Sequence, residues 1–480
     1  MKQSICLFVV LLFISAISAN AQGTPSVLHC NLGGELEIHA SRDPGSSVMG
    51  RIQCGDAAFA ITPTSSPQHV FGQYLSRIAR SGGTFYDTAT YNRFAPKGYN
   101  YERPFLFAPG YYNAGAVNSA LDGMSYYGTS VVRVIIRYDQ ITGSCSGTDC
   151  YVGIGSSSDR LNWTYMNNFT DFLTRAGNHF IRVVVSYDWL PSTYGPVIQQ
   201  MSGGDPQGPT QPEGVNSMYM TPSLLIAQQQ YLVDFIREIK NRDASLLSNI
   251  FSFDLQNEPH MRIDLLPFRV TDGTTTTADG VTYDMSDPAQ RHQCANANWV
   301  NWANSLAAAV KSEDPNALVG VNVDAEWAGP GVQIPPGTRS DYAWWDQAIW
   351  NYSPRATVIA WYAAYVDYLD YHLCINPLLS HTGPTYDLDN YLYRAEYYYL
   401  DLNAIPVIAA EFEVEDQYLT GTPCQTLVNH FSSLLSRGFR GGLLWTWDWI
   451  DQDGGIWNTG VGDDYSYSVA NGLNTFSCPY

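Results

Sequence analysis

From about residue 95 the chain alternates between two kinds of pattern. Short runs are almost wholly apolar: Ser130–Ile136 (SVVRVII), Phe180–Ser186 (FIRVVVS), Ile250–Leu255 (IFSFDL), Ala317–Val323, Pro406–Ala410 and Gly441–Trp445. Runs this apolar read as strands buried on both faces. Between them lie stretches of helical spacing. Residues 222–241 place Leu224, Leu225, Tyr231, Leu232, Phe235, Ile236 and Ile239 on one stripe, and 298–311, 386–402 and 425–437 also read as helices. Repeated strand-then-helix units predict a parallel sheet covered on both sides. No glycine fingerprint for a dinucleotide follows any strand, so the expected fold is α/β, a closed (β/α)8 TIM barrel, not an open sheet.

Residues 24–93 have another rhythm. Leu36 and Ile38 alternate with Glu35 and Glu37, Asp43-Pro44-Gly45 makes a turn, and Val48–Ile52 and Phe59–Ile61 follow. Short strands punctuated by Gly and Pro predict a small β-rich module, with the barrel over 94–480. Residues 1–21 read as a signal peptide: Lys2, an apolar run from Ile5 to Ala19, then the small-x-small site Ala19-Asn20-Ala21. Export to the outside of the cell follows, with no membrane association after cleavage. Of nine cysteines, Cys6 leaves with that segment, and the remaining eight predict up to four disulfides, Cys145 with Cys150 being the best local pair.

The 480 residues carry a formal charge of −20, which repels phosphates and excludes nucleic acid as a partner. Aromatic residues make up 14 % of the chain against 15 % charged, so many rings are expected to line clefts. There is no HExxH, no G-x-S-x-G and no P-loop, and no cofactor or metal is expected. Asp451-Gln452-Asp453-Gly454 lacks the distal Glu of a calcium loop and reads as an ordinary loop.

Two strand ends carry carboxylates. In Phe253-Asp254-Leu255-Gln256-Asn257-Glu258-Pro259 an apolar strand runs into Glu258, and in Pro406-Val407-Ile408-Ala409-Ala410-Glu411-Phe412 another ends on Glu411. A carboxylate there is costly unless it is paired or at work. On one barrel rim, two of them suit glycoside cleavage: one protonates the leaving oxygen and one attacks the anomeric carbon.

"FDLQNEPH" and "PVIAAEFE" resemble the two signature strands of glycoside hydrolase family 5, and the similarity extends over about residues 94–460. The resemblance implies Glu258 as acid/base, Glu411 as nucleophile and Asn257 on the sugar 2-hydroxyl. "GTSVVRVII" resembles the second strand and implies that Arg133 braces the nucleophile. "DYLDYHLC" resembles the sixth and gives His372; "GGLLWTWDW" resembles the eighth and gives Trp445 as the floor of the cleavage subsite. Trp447, Tyr187 and Trp189 are further stacking candidates. Two positions depart from the family. Ser186 and Asp188 stand where the third strand usually ends Asp-x-His, and Cys374 replaces a Tyr after the sixth-strand His. The N-terminal run "ELEIHASRDPGSSVMGRIQCGDAAFAI" resembles an extracellular SH3-like module.

The expected activity is therefore hydrolysis of a β-linked polysaccharide of glucan or mannan type, endo-acting and with retention. Arg133 would keep Glu411 ionised, and partial burial would keep Glu258 protonated. The alternatives are a non-catalytic carbohydrate-binding barrel, a retaining glycosidase of a sister family, or a wall-anchored structural protein led by the N-terminal module.

Overall fold

The computed structural model describes residues 74–103, 105–137, 152–153, 160–324, 351–373, 392, 396–412 and 431–447. It also gives strand backbone at Leu28–Cys30, Glu35–His39, Val48–Gln53 and Ile61–Thr62. The signal peptide, the Cys145–Cys150 pair, Cys374 and the Asp451 loop lie outside the described residues.

Eight strands close a barrel: β1 (Lys97–Asn100), β2 (Val131–Ile136), β3 (Arg182–Tyr187), β4 (Ile250–Asp254), β5 (Val319–Asp324), β6 (Tyr368–Leu373), β7 (Val407–Phe412) and β8 (Gly442–Leu444). Each pairs in parallel with the next, and β8 returns to β1. The fold is a (β/α)8 TIM barrel, as the pattern of strands and helices predicts.

Helices α1 (Ala114–Tyr126), α2 (Trp163–Asn178), α3 (Pro222–Asp243), α4 (Pro288–Glu313) and α5 (Ala356–Tyr362) follow β1 to β5 around it. Their starts are written in the sequence. Asn113 and Asn162 cap α1 and α2 by accepting from backbone N–H groups, and Pro222 and Pro288 open α3 and α4. The stripe Leu225, Tyr231, Leu232, Phe235, Ile236 and Ile239 is the buried face of α3. The helix expected over 386–402 does not extend through its described part. After Glu396, in the left-handed region at φ 61°, only a 3-10 turn forms at Tyr397–Tyr399. Cys294 is a free thiol buried on α4, so the eight remaining cysteines do not all pair.

A three-stranded antiparallel sheet (Ile78–Ser81, Thr84–Asp87, Arg93–Phe94) plugs the end of the barrel where the strands begin. Ile78 and Phe85 join Val131, Val184, Phe251, Tyr368, Ile408 and Leu443 in one apolar cluster inside the barrel. Phe85 meets Phe251 and Tyr368 edge-on at 5.2 and 5.8 Å. The compact unit holding the barrel starts at Gln73, so residues 74–93 belong with the barrel, and the boundary expected at 93/94 moves upstream. The unit before it, Met1–Gly72, contains a four-stranded antiparallel sheet in sequential order.

Two irregularities break the in-out alternation of the barrel wall. Between β3 and β4, Val183 pairs with Ile250 and Val184 with Ser252, so Phe251 is an extra residue. Between β6 and β7, Tyr371 pairs with Ala409 and His372 with Glu411, so Ala410 is extra. Such bulges re-aim the side chains beyond them.

Candidate active site

The bulge at Ala410 decides where Glu411 points. Val407, Ala409 and Phe412 belong to the core between barrel and helices, while Ile408 and Ala410 belong to the cluster inside the barrel. With strict alternation Glu411 would share the outward side of Ala409. The extra residue turns it inward, onto Arg133.

Arg133, wholly buried on β2, is the hub. Its Nη1 donates to Glu411 Oε1 at 2.5 Å and to Asn100 Oδ1 at 3.0 Å. Its Nη2 donates to Ser186 Oγ at 2.9 Å, Asn257 Oδ1 at 2.8 Å and Asp254 Oδ2 at 3.2 Å. Ser186 in turn donates to Asp254 Oδ2 at 2.8 Å. Glu411, Asn257 and Asp254 are thus positioned by one planar cation, a task that suits the guanidinium fork. Asn257, with Oδ1 taken by Arg133, has its Nδ2 donors left for a ligand oxygen.

Glu258 follows at the end of β4. Its backbone sits at φ 46°, in a left-handed conformation that costs a non-glycine residue of order 1–3 kcal/mol and is found at functional sites. The His372 Nδ1 lies between the two acids, 3.3 Å from Glu258 Oε1 and 3.4 Å from Glu411 Oε2. One oxygen of each Glu and a ring nitrogen of His372 lie within 4.8 Å of one another. The trio has the donor types of a cation site, but the Arg133 guanidinium already occupies the Glu411 carboxylate. We read it as an acid–base centre.

Burial pushes the Glu411 carboxyl up, and His372 and Arg133 offset this only in part, so it stays above its ordinary value. Burial also pushes Glu258 up, but the hydrogen bond and charge of His372 outweigh it and the net shift is downward. Burial pulls the His372 imidazole down, yet Glu411 and the bond to Glu258 raise it to about 9. These directions are the reverse of the expected ones, in which Arg133 lowered Glu411 and burial raised Glu258. The sequence could not reveal the two causes, the full burial of Glu411 and an imidazole bonded to Glu258.

The other expected residues divide. Asp188 lies on the same rim, buried, its carboxyl raised by burial against the pull of Arg137, whose Nη1 is 3.3 Å away. Trp445 follows β8 and is half-buried. Trp189 is half-buried and meets His260 edge-on at 5.9 Å, and His260 Nδ1 lies 3.0 Å from the Glu258 carbonyl oxygen. Trp447 and Tyr187, by contrast, are core rings. Trp447 is buried edge-on against Tyr99 at 4.9 Å, and Tyr187 packs among Tyr231, Phe235 and Phe253. Neither presents a face to a sugar, because a strand-end aromatic points wherever the last pleat sends it. Asn100, Asp254, Asp370 and His260 were missed. They are single polar letters in or beside apolar runs, with no motif to mark them.

No protein-family model matches the sequence, and no curated protein matches it. Solved structures do. An endo-1,4-β-mannanase from Rhizomucor miehei superposes with a TM-score of 0.55 at 14 % identity, over 83 % of this chain and 98 % of that one. A hyperthermostable endo-1,4-β-D-mannanase from Thermotoga petrophila RKU-1 gives 0.51 at 15 % identity, over 80 % of this chain and 100 % of that one. At such identities the likeness establishes the shared barrel fold.

Proposed function

We propose that this protein is an exported retaining glycoside hydrolase that cuts a β-1,4-linked polysaccharide of mannan or glucan type in an endo manner. The observation that carries the reading is the approach of the Glu258 and Glu411 oxygens to within 4.8 Å. Retaining enzymes hold their carboxyl groups roughly 5–5.5 Å apart, whereas inverting enzymes leave ~6.5–9.5 Å for a water. The neighbours in structure, named as mannanases, make mannan the first substrate to try.

In this reading Glu411, held by Arg133, attacks the anomeric carbon while Glu258 gives its proton to the departing oxygen. Glu258 then takes a proton from the water that frees the sugar. The His372–Glu258 contact supplies the proton. A centre with one proton on Nδ1 becomes the competent acid when that proton crosses the 3.3 Å Nδ1···Oε1 contact to Glu258. Binding drives the move, since the Glu258 side chain is 43 % exposed and a sugar laid over it removes that water and raises its affinity for a proton. Asn257 donates to the 2-hydroxyl, and Trp445 offers a stacking face.

Replacing Glu411 by Ala tests the nucleophile. Release of nitrophenol from an activated aryl β-mannobioside or cellobioside should cease, and azide should restore it with an α-glycosyl azide as product. Full activity of the Glu411→Ala protein would end the assignment. A wild-type protein that binds these glycans and releases nothing would indicate a binding barrel.

A further inference from the structure

Directly below His372 on the inner wall of β6 lies a fully buried carboxyl that the mechanism above does not use. Asp370 has no hydrogen-bond partner for either side-chain oxygen among the described residues, and its Oδ1 lies 3.9 Å from His372 Nε2, which also has none. The surroundings are specific. Asp254 faces it from β4, Arg133 from β2 and Glu411 from β7. Asn322 of β5 donates to its backbone oxygen at 3.3 Å, and Tyr368 precedes it on its own strand. Asp324 stands opposite His372 in the β5–β6 register.

Four carboxyl groups, Glu258, Glu411, Asp254 and Asp370, thus meet one guanidinium and one imidazole in the barrel interior. Even the three buried ones, Glu411, Asp254 and Asp370, outnumber the two cations, so at least one acid keeps its proton. Arg133 donates to Glu411 and Asp254, and His372 Nδ1 faces Glu258 and Glu411. Among the described residues, Asp370 is the one of the four that receives no donor.

We propose that Asp370 is a positioning residue of this centre: a buried acid whose protonation is coupled to that of His372 by close approach of their charges, and which thereby sets the charge that the imidazole presents to Glu258 and Glu411. With the proton on the carboxyl, both partners are neutral. When the carboxyl ionises, its negative charge 3.9 Å from Nε2 favours the imidazolium, so Asp370 is an anion beside a cationic His372. Burial, and then the neighbouring Asp254, raise the Asp370 carboxyl to about 8, so it begins to ionise where a lone imidazole would already have lost its charge. An Asp370 anion then holds the proton on the centre, and extends activity on the alkaline side.

The inference rests on the glycosidase reading, and its test separates the two. Asp370→Asn and Asp370→Ser differ in volume but share the lost charge. In protein labelled with [15N]histidine, with His372→Gln identifying the resonance among nine histidines, both variants should lower the His372 midpoint by about half a pH unit or more. Both should move the alkaline limb of kcat/KM down by a similar amount and leave the acid limb in place. An unmoved imidazole midpoint would overturn the inference, as would a uniform loss of kcat/KM at every pH or two variants that do not fold, since either marks a merely structural group. A wild-type protein without glycosidase activity would refute the reading, while the imidazole titration would still decide the role of Asp370.

Discussion

Five acceptors converge on the Arg133 guanidinium, two of them carboxylates. Removing one side of a buried pair costs about 3–5 kcal/mol because the partner charge is left unmatched. Arg133→Met should therefore lower stability by about that amount in urea unfolding and abolish turnover. Arg133→Lys should fold better yet lose at least ~10²-fold in kcat, since an ammonium cannot hold Glu411 and Asn257 in one plane. The shifts of the acids fix the pH profile. Glu411 must be ionised, and its carboxyl is raised, so activity should fade as pH drops through a value above the ordinary ~4.3 of Glu. The proton shared by His372 and Glu258 should be lost as pH rises toward about 9. A kcat/KM profile with its acid limb below pH ~4 would contradict the burial of Glu411. Single residues were legible in the sequence where a motif held them. Glu258, Asn257, Glu411, Arg133 and His372 are brought together as their strand ends suggest, whereas Asp254 and Asp370 are isolated acids inside apolar strands. What makes them matter is contact across the barrel, which no local pattern encodes.

At the scale of the element, the extra residue in β7 is as important as the acid that follows it. The run Pro406–Ala410 shows where the strand lies, but in a strand apolar on both faces alternation cannot say which way Glu411 turns. The β6–β7 pairing supplies the answer through the bulge at Ala410. Among the helices, the start at Pro222 matches the expected one, the helix expected from 298 already begins at Pro288, and 386–402 was misread, because tyrosine-rich spacing imitates an amphipathic stripe but the chain turns after Tyr399.

For the molecule as a whole, the barrel has a closed end and a working end. The sheet of residues 78–94 closes the first with Ile78 and Phe85, leaving the strand C-termini to the chemistry. Phe85→Ala should cost about 3–5 kcal/mol and lower the Tm, with kcat unchanged well below it. A chain starting at Gln73 should unfold cooperatively, while one starting at Phe94 should expose Phe251 and Tyr368 and aggregate. The eight-fold plan was legible because each strand-and-helix unit is local. The plug was not, because its short strands share the rhythm of the segment before them and only their burial against Phe251 and Tyr368 assigns them to the barrel.

The most direct measurement of the central claim follows the anomeric protons by NMR while the wild-type protein is incubated with an unlabelled β-1,4-linked oligosaccharide. Two carboxyl groups as close as Glu258 and Glu411 predict that the β-anomer appears first and mutarotates later. First appearance of the α-anomer would mean that water attacks directly, and would contradict the double displacement built on Glu411.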